Sequence, residues 1–167
     1  MYMFAKVGIA GTGLVGGSLG QALKKKHLAR TVVGTSRQPR SLLRARTVKA
    51  IDTGSTALDI LAGCDLVILA TPVETILGQI DRIRRIIPAG CIVIDVASTK
   101  EEVVARAGKR FAKFVGCHPL AGSEKRGIAH ARPGLFEDAT CIITPVKTTD
   151  RGALAAVIKL WKTLGST

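Results

Sequence analysis

At 167 residues the chain is long enough for one domain with a sizeable core, and a hydrophobic share of 47% excludes a disordered polymer. The net charge of +13 raises nucleic acid as a partner, but the basic residues are spread along helical stretches. One Trp, one Tyr and four Phe are also too few for a base-stacking platform, so no nucleic-acid partner is expected. No apolar run approaches the ~18 residues of a membrane span, and Met1 leads almost directly into AKVGIA without a recognisable signal peptide, so the expectation is a cytoplasmic protein with no membrane partner.

The first element is a strand over 5–10, AKVGIA, and it runs straight into Gly11-Thr12-Gly13-Leu14-Val15-Gly16. That string satisfies G-x-G-x-x-G, and here it follows an apolar strand and opens a helix over about 14–27. Gly11 permits the tight turn, Gly13 lets the backbone approach a pyrophosphate, and Gly16 lets the helix pack closely on the strand. Bare N–H groups and the positive end of the helix dipole then suit an anion. The expected ligand is a nicotinamide dinucleotide on a Rossmann-type turn.

A second strand over 31–35 ends at Ser36, 20 residues on from Gly16. A carboxylate at that turn would bind the adenosine ribose hydroxyls of NAD. Ser36 and Arg37 stand there instead, with Arg40 close behind. A hydroxyl and guanidinium groups suit a 2′-phosphate that a carboxylate would repel, so the expected cofactor is NADP in preference to NAD.

A helix over 38–47 follows, then an ambiguous segment in which a short strand near 48–51 and a short helix near 56–62 are expected. The strand over 65–71, DLVILAT, delivers Thr71 and Pro72 to the next turn, ahead of a helix over 73–87. The strand over 91–97 carries Asp95, expected to be buried and hydrogen-bonded, and leads to Ser98. Ser98 with Glu101 spells S-x-x-E, a capping box for the helix over 100–111; the same serine is placed to orient a cofactor. The strand over 114–118 ends at His118, followed by Pro119-Leu120-Ala121-Gly122-Ser123-Glu124. A strand over 140–144 and a helix over 151–164 complete the chain.

Strands alternating with helices, and strands apolar on both faces, predict an α/β doubly wound, mostly parallel sheet. Ligands of such sheets lie outside the carboxyl ends of the strands, where Thr71, Ser98 and His118 all fall. The four cysteines form no CxxC pair and read as reduced thiols, and no metal site is expected.

GTGLVGGSL, ATPVE, DVASTK and GCHPLAGSEKRG, in that order and spacing, resemble the prephenate/arogenate dehydrogenase family of tyrosine biosynthesis over nearly the whole chain. The last two motifs are more specific than the glycine turn; Leu120 stands where Met or Ile is common. The resemblance implies oxidative decarboxylation of prephenate or arogenate. His118 would accept the proton of the ring hydroxyl, which requires a neutral imidazole, and Ser98 would orient histidine and cofactor. Ser123 would lie near cofactor or substrate, and Glu124 would gate the site. The missing acid after the second strand is similar to NADP-using members. Such enzymes continue into a helical domain that forms a homodimer and grips the substrate. Residues 1–167 are therefore expected to be the dinucleotide-binding domain, binding NADP(H) but inactive alone. Two further readings stay open: a stand-alone nucleotide-binding or redox-sensing module, and another small-substrate reductase of the same fold.

Overall fold

The computed structural model describes residues 1–122 and 124–167. Strands β1 (Phe4–Ala10), β2 (Ala29–Thr35), β3 (Thr53–Ser55), β4 (Leu66–Leu69), β5 (Ile92–Asp95), β6 (Phe114–Pro119) and β7 (Cys141–Thr144) form one sheet in the order β3-β2-β1-β4-β5-β6-β7. The pairings from β3 to β6 are parallel; β7 pairs antiparallel with β6. Helices α1 (Leu14–Lys25), α2 (Pro39–Thr47), α3 (Val73–Ile86), α4 (Glu101–Arg110) and α5 (Arg151–Leu164) cover the two faces.

The alternation along β4 shows how this chain builds two cores. Leu66 and Ile68 join Leu19, Leu23, Val157 and Trp161 on the face of α1, α2 and α5. Val67 and Leu69 join Ile76, Ile80, Ile83 and Val103 under α3 and α4. Both faces of a central strand are dry, which is why its sequence is an unbroken apolar run. The winding reverses between β1 and β4, so the loops after these two strands splay apart and leave a crevice at the carboxyl edge.

The expected doubly wound sheet is present, with two local corrections. The strand foreseen near 48–51 falls later, at Thr53–Ser55, paired with Val33–Thr35. Residues 48–51 close α2 instead: Lys49 takes a left-handed φ of 58°, and Ala50 donates to Ala45 O at 2.8 Å. The short helix expected nearby is a 3-10 turn at Leu58–Leu61. Secondly, Ser98 does not cap α4. Lys100 occupies the N-cap, no side chain caps that helix, and Ser98 is exposed two residues earlier. The ion pair from Lys100 to fully buried Asp95 ties down the start of α4 there.

Candidate functional site

The crevice holds a cavity of about 490 Å³, and it is built from helix beginnings. Gly13, Gln38 and Pro72 are the N-caps of α1, α2 and α3; all three line the cavity, and none of these helices has a side-chain cap. The first-turn N–H groups of a helix have no partner within it, so three positive helix ends converge on one space.

The turn after β1 takes the shape its glycines permit. Gly11 sits at φ 101°, and its N–H donates to Thr35 O at 3.0 Å, tying the turn to the end of β2. A Cβ on Gly16 would stand 2.0 Å from Gly11 O, whereas one on Gly13 would meet no atom within 4 Å. Gly16 thus lets α1 close on the turn, and Gly13 leaves its outer side open to another molecule. Leu14 and Val15 are half-buried in the first turn of α1.

Thr12 Oγ1 and Thr71 Oγ1 are buried with no hydrogen-bond partner among the described residues, and both residues line the cavity. An unpaired buried hydroxyl costs about 1–3 kcal/mol, so two at one site point to a polar ligand that completes them. The diphosphate and ribose of a dinucleotide supply such partners. The residues present fit that group.

The cavity unites Gly11, Thr12, Gly13, Ser36, Arg37, Thr71 and Pro72, as the sequence motifs suggested, but its lining does not include Leu14, Val15, Gly16, Arg40, Ser98 or His118. Arg40 lies on α2, exposed and outside the lining. Ser36 is half-buried and accepts from Gln38 N at 3.3 Å; Arg37 is exposed. No Asp or Glu is among the described residues lining the cavity. Four contributions were missed, the first being Thr56 and Leu58 from the segment after β3. Thr75, Gln79 and Arg82 reach it from α3, at helical spacings that were legible once Thr71 was placed. Gln38 and Ser41 come from the start of α2. Gly127 and Ile128 return from the distant loop after β6, where Ile128 fits against Gly17 and Arg132 N donates to Ser18 Oγ at 3.0 Å. Nothing in their local sequence announces that contact.

Ser98 and His118 lie at the carboxyl ends of the neighbouring strands β5 and β6. His118 is half-buried and faces Ile142 across the β6–β7 pair. Asp95 joins the two strand ends: it accepts from Ala97 N at 3.1 Å and from Cys117 N at 3.4 Å while pairing with Lys100. Burial pushes its carboxyl up, against the pull of Lys100. Glu124 is exposed, and Ser123 lies outside the described residues. Cys117, although beside His118, is no nucleophile. Contact with the Cys141 thiol and burial keep it protonated, and Trp161 Nε1 donates to its sulfur at 3.4 Å. All four cysteines are free, with burial pushing Cys64 up to about 11 and Cys91 up to about 12. No cluster of metal-ligating side chains occurs among the described residues.

Residues 19–167 match the family described as prephenate dehydrogenase, nucleotide-binding domain. The chain belongs to that family. It is 36% identical over 160 residues to prephenate dehydrogenase of Bacillus subtilis, a match spanning 92% of this chain and 43% of the relative. Cyclohexadienyl dehydrogenase of Zymomonas mobilis is 28% identical over 168 residues, 99% of this chain and 57% of the relative. Among solved structures, Synechocystis arogenate dehydrogenase superposes with a TM-score of 0.92 at 31% identity, covering 97% of this chain and 58% of that one. Prephenate dehydrogenase from A. aeolicus, in complex with hydroxyphenyl propionate and NAD+, gives 0.93 at 30% identity, covering 98% and 58%. The nucleotide-binding domain described here thus spans about half the length of the relatives it matches. Among its described residues no helix is long and apolar enough to cross a membrane.

Proposed function

We propose that residues 1–167 form the dinucleotide-binding part of an NADP-preferring enzyme that oxidatively decarboxylates prephenate or arogenate, acting as a homodimer once a substrate-gripping helical region is joined to it. The observation that carries the cofactor reading is the cavity: a glycine turn, three uncapped helix starts and two orphaned threonine hydroxyls around one space. Gly11, Thr12, Gly13 and the first turn of α1, Leu14, Val15 and Gly16, hold the diphosphate. Thr71 and Pro72 line its path toward the centre of the sheet edge.

The preference for NADP rests on Ser36 and Arg37, with no carboxylate among the described residues of the lining to repel a 2′-phosphate. Arg40, exposed on α2 and outside the lining, adds positive charge on the same helix that opens on the cavity. Titrating the chain with NADPH and NADH by fluorescence tests this directly. Arg37→Ala is expected to lower the NADPH-to-NADH affinity ratio by about ten- to a hundredfold, the range for one charge-assisted contact. An unchanged ratio would refute the preference.

A nicotinamide, when bound, supplies the hydride acceptor. The chain's own residues supply the proton chemistry. His118 takes the proton of the ring hydroxyl, and Ser98, on the adjacent strand end, orients that imidazole and the cofactor. Ser123 lies outside the described residues and keeps only the role that the resemblance implies, near cofactor or substrate; exposed Glu124 gates the approach. Loss of carbon dioxide with hydride leaves an aromatic ring, so the protein's main task is alignment. In the full-length protein His118→Asn is expected to lower kcat by at least about 100-fold with little change in KM for the nucleotide. Near-normal turnover would remove His118 from this role.

A further inference from the structure

The described lining of the cavity carries two cations, Arg37 at the end of β2 and Arg82 in the third turn of α3. Arg82 belongs to none of the motifs that pointed to the site. Thr75, Gly78, Gln79 and Arg82 recur at helical spacing, and all four line the cavity, so one face of α3 forms its wall.

Two features set Arg82 apart from an ordinary solvated helix cation. Its Nη2 donates to Asp59 Oδ2 at 3.3 Å, with the two side chains 56% and 72% exposed. Water screens such a pair, so it adds little to the fold. Its consequence is directional: one nitrogen is tethered beside the cavity, and the rest of the planar fork remains for an anion. The second feature is Gly78, one turn earlier in mid-helix. A Cβ there would meet no protein atom within 4 Å. Bare backbone at the wall leaves room for atoms of another molecule next to the guanidinium.

We propose that Arg82 is a specificity-determining residue, a second cation for the 2′-phosphate of NADP, reaching it from α3 as Arg37 does from β2. The inference rests on the dinucleotide reading given above. A phosphate monoester presents three oxygens, enough for two guanidinium forks; Asp59, outside the lining, holds one nitrogen of Arg82 and offsets part of its charge, while Arg37 and the remaining Arg82 donors are left for the dianion.

The test is fluorescence titration of the 167-residue chain with NADPH and NADH, comparing the unsubstituted protein with R82Q and R82K. R82Q is expected to weaken NADPH by about tenfold or more while NADH changes by less than about twofold. R82K, which keeps the charge, is expected to recover part of the NADPH affinity. Equal weakening of both nucleotides would place Arg82 on the shared adenosine and overturn the proposal; no change in either would overturn it as well. If the unsubstituted chain retained neither nucleotide, the dinucleotide reading itself would fall, and this inference with it. Arg82 is exposed, so an unchanged thermal midpoint in the variants shows that binding alone has moved.

Discussion

Helices α5 and α1 begin in opposite ways. Asp150 caps α5, its Oδ1 accepting from Ala153 N at 2.7 Å, and Gly165 ends that helix in a left-handed turn whose N–H returns to Lys162 O and Trp161 O. Gly13 leaves α1 without any side-chain cap. Helix α5 serves packing: Trp161 lies edge-on to Phe136, ring centres 5.5 Å apart, over the β6 end of the core. Helix α1 opens on the cavity, as do α2 and α3, and all three are uncapped. At α5 the chain satisfies the helix start from within, whereas α4, also outside the cavity lining, has no side-chain cap. Where a helix start faces the cavity, donors and hydroxyls are left for a ligand, at the expense of stability.

Substitutions can break that contrast or sharpen it. The largest effect is expected at Gly16, where a Cβ would collide with Gly11 O at 2.0 Å. Gly16→Ala should destabilise the fold by about 3 kcal/mol in a urea titration, through overpacking against backbone that has nowhere to go, and should abolish nucleotide binding. Asp150→Ala removes the cap of α5 and should cost about 1 kcal/mol while leaving both nucleotide affinities unchanged. A change in affinity there would mean that the two regions are coupled, contrary to the division drawn above.

The smallest effect, and the most discriminating, belongs to Gly78. Glycine inside a helix is less stable than alanine by about 0.5–1 kcal/mol, and the space beside it is open. Gly78→Ala should therefore raise stability by that amount while weakening nucleotide binding. A more stable protein that binds equally well would show that no ligand occupies that wall.

The glycine turn, the doubly wound sheet and the absence of an acid after β2 were all legible along the chain. Each depends on neighbours close in sequence: an apolar strand, a turn that tolerates positive φ, and a helix that starts at once. The capping box at Ser98 and Glu101 was equally local, and it misled. A buried ion pair between Asp95 and Lys100 ties down the start of α4, leaving Ser98 exposed before it. The burial of Asp95 was legible from its apolar strand, but not that Lys100 turns back to pair with it.

Apart from the short strand after α2, the sequence by itself determined which segments form strands and helices and which turn can cradle a phosphate, because periodicity and backbone permissiveness are short-range properties. Only the tertiary structure decided that β7 pairs antiparallel with β6, that Ile128 returns from the loop after β6 to the first turn of α1, and that Arg82 shares a cavity with Arg37. Those juxtapositions join residues dozens to more than a hundred positions apart. They exist because two apolar faces of one sheet had to be covered at once, which brought helix ends from separate segments to a single edge.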